Sequence, residues 1–207
     1  VPGSDGNSLS TKRIREIVAG CDGNIWIGTE DNGVEVLNTA TGKVDRLKLE
    51  GKDAGNRLVT LSMFAKGDQV FCGLFKQGLD VIQLPGKKVK HYGYESLNIG
   101  EGSVYSFFID DKGCSWIGTG WGLYKAAPGS FHFSKVEEVG YDWIFDTFQD
   151  RDGVMWFASM GSGLWKHDPQ KGTFTKYFYE EGKENTLSSN SVSSIMQDSK
   201  GRIWIST

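Results

Sequence analysis

Gly23-Asn24-Ile25-Trp26-Ile27-Gly28-Thr29 is a phrase that the chain writes repeatedly. It returns as Gly113-Cys114-Ser115-Trp116-Ile117-Gly118-Thr119, as Gly153-Val154-Met155-Trp156-Phe157-Ala158-Ser159 and as Gly201-Arg202-Ile203-Trp204-Ile205-Ser206-Thr207. A weaker copy, Gly67-Asp68-Gln69-Val70-Phe71-Cys72-Gly73, fills the interval between the first two. The leading glycines are spaced by 44, 46, 40 and 48 residues. Self-similarity at such a period marks a repeat architecture, and one unit of four short strands takes about 40–50 residues.

Each copy reads as two strands and the turn that joins them. An apolar residue stands nine positions ahead of each glycine, at Ile14, Leu58, Val104, Ile144 and Val192. Trp26, Trp116, Trp156 and Trp204 follow the glycine by three, and Phe71 is the aromatic of the weak copy. Polar residues such as Asp110-Asp111-Lys112 and Asp198-Ser199-Lys200 precede the glycine, which is ordinary hairpin chemistry. A second glycine, at Gly33, Gly78, Gly122 or Gly163, opens a third strand, and a fourth is expected over Val44–Leu49, Val89–Tyr92, Phe131–Val136 and Phe174–Tyr179. Four short strands per period make a β-propeller blade. The expected fold is thus all-β, with four-stranded antiparallel blades at about 6–50, 51–95, 96–139 and 140–184 and a truncated one at 185–207. Four and a half blades do not close a ring, so the expectation is a segment of a larger, seven-bladed propeller that begins at a cut end, Val1–Gly6. Helix-period stretches are absent.

A net charge of −3 and a pI near 5.7 argue against nucleic acid, which calls for a basic stripe. The chain has no apolar run of membrane-spanning length and no signal-peptide pattern at its start. Cys21, Cys72 and Cys114 show no metal or redox spacing and read as small fillers. His91, His132 and His167 are scattered along outer strands. No nucleophile motif, phosphate loop or metal motif is present, so no catalytic residue, metal or cofactor is expected. The repeated tryptophans, one per blade at a fixed place, read as packing between adjacent sheets.

The repeat extends into its lead-in loop: Asn7-Ser8-Leu9-Ser10 is echoed by Asn185-Thr186-Leu187-Ser188-Ser189-Asn190-Ser191-Val192. The whole series, this lead-in, then Asp-x-x-Gly-x-x-Trp-Ile-Gly-Thr, then a glycine-led strand, resembles the two-component regulator propeller repeat. The match is fullest over 185–207 and next over 7–29. The resemblance implies the periplasmic sensor region of a Bacteroides-type hybrid two-component protein. Its ligand would be a glycan-derived oligosaccharide. Its partners would be further blades, downstream sensor modules and a second copy of the chain, with kinase activity carried elsewhere in the parent. A purely structural or dimerising propeller is the alternative. A glycan-processing enzyme is the third, since Asp111–Trp116 resembles the Asp-box turn of sialidases, a structural turn remote from catalysis.

Trp121, Tyr141 and Trp143 fall outside the repeated positions. In a propeller the loop entering a blade's first strand and the turn after its second strand emerge on one face. These aromatics would therefore share a rim suited to a sugar ring, with Arg57, Lys76 and Asn190 in comparable loops supplying polar groups.

Overall fold

The structure, a computed structural model, describes residues 8–51, 53–100 and 102–207. Asn7 and the expected cut end before it lie outside the described residues. Among the described residues, eighteen strands form five antiparallel sheets. Blade 1 holds β1 (Ile14–Ala19), β2 (Ile25–Thr29), β3 (Val34–Leu37) and β4 (Val44–Arg46). Blade 2 holds β5 (Thr60–Lys66), β6 (Gln69–Leu74), β7 (Gly78–Gln83) and β8 (Lys88–Tyr92). Blade 3 holds β9 (Ser106–Ile109), β10 (Ser115–Thr119), β11 (Gly122–Ala126) and β12 (Ser134–Lys135). Blade 4 holds β13 (Ile144–Gln149), β14 (Met155–Ser159), β15 (Gly163–Asp168) and β16 (Thr173–Tyr177). Blade 5 has two strands, β17 (Ser194–Gln197) and β18 (Ile203–Ser206). In each four-stranded sheet every strand pairs with its sequence neighbour.

The repeated phrase has a physical job at each position. The aspartate three residues before the glycine closes the hairpin. Asp110 Oδ1 accepts the backbone N–H groups of Lys112 and Cys114 at 3.0 and 2.8 Å, and its Oδ2 accepts the Trp116 indole at 2.9 Å. Asp150 does the same for Asp152, Val154 and Trp156, and Asp198 for Lys200, Arg202 and Trp204. Such bonds favour the charged carboxylate. At Asp198 the Trp204 indole leads in holding the pKa down to about 2, ahead of the bonds from Arg202 and Lys200. Its contribution to stability is therefore present above the ordinary carboxylate range near 3.8 and is lost as pH falls toward 2. Blade 1 has Gly20 at that position, and Asp22 reaches the Trp26 indole from two residues further on, at 3.3 Å.

After the tryptophan, Gly28 admits the next sheet, because a Cβ there would lie 2.7 Å from the Thr60 methyl and 2.9 Å from Met63 Sδ. The threonine then folds the chain back: Thr29 and Thr119 donate to the carbonyls of Gly33 and Gly122 at 2.8 and 3.0 Å. Gly163 has φ 87°, and a Cβ on it would stand 2.2 Å from the Tyr177 carbonyl oxygen, so only glycine fits.

A second kind of bond, invisible as a repeat, fixes each lead-in loop. Glu35, Asp80, Tyr124 and Trp165 occupy one register position on the third strands, opposite Ile27, Cys72, Ile117 and Phe157. Each holds its own blade's lead-in. Glu35 accepts from the Ser10 backbone N–H and hydroxyl. Asp80 accepts from Arg57 Nη1 at 2.6 Å and pairs with His91 Nδ1 at 2.7 Å. Tyr124 Oη accepts from Gly100 N at 3.3 Å, and Trp165 Nε1 donates to Asp142 at 2.8 Å.

The chain packs as two compact units, one running up to Leu97 with Gly102–Phe107, the other taking Phe108–Thr207 with the short stretch from Asn98. Trp26, Val36, Met63, Cys72, Ile82 and Leu84 form the core of the first. In the second, Trp116, Ile144 and Phe157 belong to one cluster of described residues and Leu164, Val192 and Ile195 to another.

The structure amends several expectations. In blade 2 the hairpin is a two-residue turn, Gly67-Asp68, closed by the Lys66–Gln69 pair, with Gly67 at φ 57°. Counted between the equivalent pairs Ala65–Val70 and Gln149–Met155, the connection is four residues against the five of blade 4. Thr60, opposite Leu74, therefore takes the place of Ile144, opposite Ser159, and Leu58 does not. Three of the fourth strands are shorter than expected: β4 stops at Arg46 and the chain turns Leu47 inward, β12 keeps two residues beside the buried Phe133, and β16 stops at Tyr177, while β8 ends at Tyr92 as expected. A single helical turn, α1 (Tyr94–Leu97), caps blade 2. Of the repeated tryptophans, Trp26 and Trp116 are fully buried, but Trp204, on a two-stranded sheet, is 52% exposed.

Two outcomes follow for urea unfolding. Asp110→Ala strands a buried indole N–H and two backbone donors and should cost about 2–3 kcal/mol, whereas Asp68→Ala, at the turn that lacks the latch, should stay within about 0.5 kcal/mol. Arg57→Ala, which removes the guanidinium from a carboxylate 3% exposed, should cost about 3 kcal/mol. Equal costs at positions 68 and 110, or a neutral Arg57→Ala, would contradict these roles.

Candidate ligand-binding rim

In blades 1, 2 and 4 the turn after the second strand is bonded to the lead-in loop of the next sheet, and in blade 3 Gly122 packs closely against the Gly140 carbonyl, so the two loop types do come together. Gly33 donates to the Leu58 carbonyl, Gly78 to that of Gly102, and Gly161 and Gly163 both to that of Asn190, at 2.7–3.0 Å. In the second unit this juncture carries exposed aromatics. Trp121, on the β10–β11 turn, is 57% exposed, and Tyr141, on the loop before β13, is 74% exposed. Their ring centroids are 6.4 Å apart at 78°, an edge-to-face pair. Lys135 Nζ sits 3.1 Å from the Tyr141 ring centroid. Nothing in the sequence linked Lys135 to Tyr141, because the pairing depends on how far β12 extends. Trp143, less exposed, lays its ring edge-on against Phe145 at 6.1 Å, and its carbonyl accepts from Met160 N.

Between the two aromatics of this loop, Asp142 faces inward. It accepts from the Ser162 hydroxyl, the Trp165 indole and Lys176 Nζ, each at 2.8 Å. Burial alone would raise its pKa, but the bonds from Lys176, Trp165 and Ser162 outweigh it and hold the carboxyl below its usual value. Asp142 is thus an anchor, and Tyr141 and Trp143 on either side of it are held in place. Asn190 is also a joint: its backbone carbonyl serves Gly161 and Gly163, and its Oδ1 accepts from Tyr179 N at 2.6 Å. Its side chain borders a shallow cavity of about 320 Å³ with Ser162, Lys176 and Phe178.

In the first unit, Arg57 is buried and committed to Asp80 and the Glu50 carbonyl, so its guanidinium does not reach the rim. Lys76 is on the β6–β7 turn in the left-handed region (φ 57°), with its ammonium 5.1 Å from the centroid of the exposed Phe75 ring. The geometry offers flat apolar faces with ammonium groups beside them.

Comparison with known proteins agrees with this architecture. The family model described as "Two component regulator propeller" matches residues 186–207. No curated protein matches the sequence. Among solved structures, the extracellular domain assigned to hybrid two-component system BT3049 of B. thetaiotaomicron is 28% identical with a TM-score of 0.77, over 97% of this chain and 26% of that one. The corresponding domain of BT4673 is 18% identical with a TM-score of 0.75, over 94% and 26%. Virginiamycin B lyase of Staphylococcus aureus is 13% identical with a TM-score of 0.68, over 99% and 65%, a likeness of fold alone. The chain spans about a quarter of the length of these extracellular domains. Its sheets are β-propeller blades, its residues 186–207 match the two-component regulator propeller model, and its fold resembles that of an extracellular domain assigned to a hybrid two-component system.

Proposed function

We propose that these blades belong to the periplasmic, ligand-sensing region of a hybrid two-component signalling protein, and that the ligand is an oligosaccharide derived from a glycan. The observation that carries this reading is the exposed Trp121–Tyr141 pair with Lys135 beside it. A sugar ring has an apolar face and a hydroxyl perimeter, which suit an aromatic platform bordered by hydrogen-bond donors. Such a segment binds and does not turn over its ligand; the histidine kinase lies elsewhere in the parent protein. Further blades, downstream sensor modules and a second copy of the chain are the proposed partners. Signalling then needs the ligand to favour one arrangement of modules over another, because equal affinity for both would shift nothing. No helix among the described residues is long and apolar enough to cross a membrane.

The test is a thermal-unfolding and calorimetric screen of the sensor region containing these blades against neutral and acidic oligosaccharides. A binding sugar at a hundred times its dissociation constant should add about 2.7 kcal/mol of stability. Trp121→Ala with Tyr141→Ala should weaken that binding about tenfold or more and leave the unliganded unfolding midpoint in place. No binding across the panel, or an affinity indifferent to both substitutions, would overturn the proposal.

A further inference from the structure

The charged groups around the Trp121–Tyr141 pair fall into two sets. The first is already matched. Asp142, set between Tyr141 and Trp143, takes Lys176 Nζ at 2.8 Å, and Lys171 and Lys183 of the same unit hold Asp168 and Glu180. The second is Lys135, which forms no ion pair or hydrogen bond among the described residues. Glu137 and Glu138 stand on the loop that leads to Tyr141, yet neither pairs with it. Glu138 borders a cavity beside His167, whose imidazole feels its charge. Lys125 and Lys166 also lack a carboxylate, but the rings beneath them, Trp116 and Trp156, are packed between sheets. Lys135 differs because the ring it meets is 74% exposed.

The fold delivers this ammonium to both loops at once. Lys135 lies on β12 opposite Tyr124, and its stem passes the turn that bears Trp121: a Cβ on Gly122 would stand 3.1 Å from Lys135 Cε. Nζ then reaches the Tyr141 ring, 3.1 Å from its centroid. The ring attracts the cation through its quadrupole and does not neutralise it. An ammonium carries three N–H donors, so those turned away from the ring remain for a ligand. The first unit repeats the arrangement on the β6–β7 turn, where Lys76 Nζ lies 5.1 Å from the centroid of the exposed Phe75 ring and again has no ion pair among the described residues.

We infer that the sugar read by this rim is acidic: a hexuronate whose ring lies against Trp121 and whose carboxylate meets the Lys135 ammonium. The inference rests on the oligosaccharide reading above and narrows it. A neutral sugar stacks on the same aromatic faces but leaves Lys135 without a counter-charge, whereas a carboxylate makes a charge-assisted hydrogen bond with it. The aromatic pair thus supplies affinity common to all sugars of suitable shape, and Lys135 supplies the difference between them.

The experiment is calorimetric titration of the sensor region containing these blades with trigalacturonate and trimannuronate, each beside its methyl ester, which keeps the rings and removes the charge. At least one acid should bind about fivefold more tightly than its ester, and the gap should close as salt is raised to about 0.5 M. Lys135→Gln should bring that acid to the affinity of its ester with the unfolding midpoint unchanged, while Lys135→Arg, which keeps the charge, should retain the preference. Trp121→Ala should weaken acid and ester alike. An acid bound no more tightly than its ester, a preference that survives Lys135→Gln, or binding confined to neutral sugars would overturn the assignment and leave the oligosaccharide reading standing. Absence of binding by every sugar, acidic or neutral, would remove both.

Discussion

A loop that enters a sheet is held by the third strand of that same sheet, and this bond sets the rest of the structure. The lead-in carries backbone groups that must be paired where they are buried. It must also be placed accurately, because the turn of the preceding blade docks on it through bonds such as Gly163 to Asn190 and Gly78 to Gly102. Four blades meet the requirement in four ways: a carboxylate for Ser10, a buried ion pair for Arg57, a phenol for Gly100 and an indole for Asp142. What recurs is a place in the sheet, and any side chain that reaches the loop with a complementary group will serve there.

At the other end of the hairpin, blades 3, 4 and 5 share one solution. The aspartate latch joins a five-residue loop to the tryptophan that packs between sheets, so loop length, acid and indole come as a set. Blade 2 shows the set lost as a whole. Its two-residue turn leaves no loop to latch, Phe71 has no N–H to offer, and its ring instead stacks on Phe107 at 4.6 Å. The two ends of a blade thus divide the work. The hairpin end is stereotyped, while the loop end varies and presents side chains such as Trp121 and Tyr141 to solvent.

This division explains what the sequence made legible. The glycine and tryptophan spacing revealed the sheets, the strand order within a blade and the family likeness, because the latch and the tight turn each tolerate few residue types. The third-strand ties were hidden, since Glu35, Asp80, Tyr124 and Trp165 share no chemistry. For the same reason Arg57 read as a loop cation free to meet a ligand, when it is buried against Asp80. Leu58 was placed by counting nine residues back from Gly67, which stands seven after Thr60 where Gly153 stands nine after Ile144. Trp121 and Tyr141 stood out as aromatics outside the repeat, but Lys135 did not, because its contact with Tyr141 depends on where β12 leaves its side chain relative to the loop before β13.

The rim and the tie meet at Asp142, whose three bonds hold the loop that bears Tyr141 and Trp143. Hydrogen exchange in wild type and Asp142→Ala tests that dependence most directly. If the third strand anchors the loop, amides 140–143 should exchange about tenfold faster or more in the variant while β13 and β14 keep their protection. Unchanged exchange in the loop, or a sheet that opens together with it, would contradict the account.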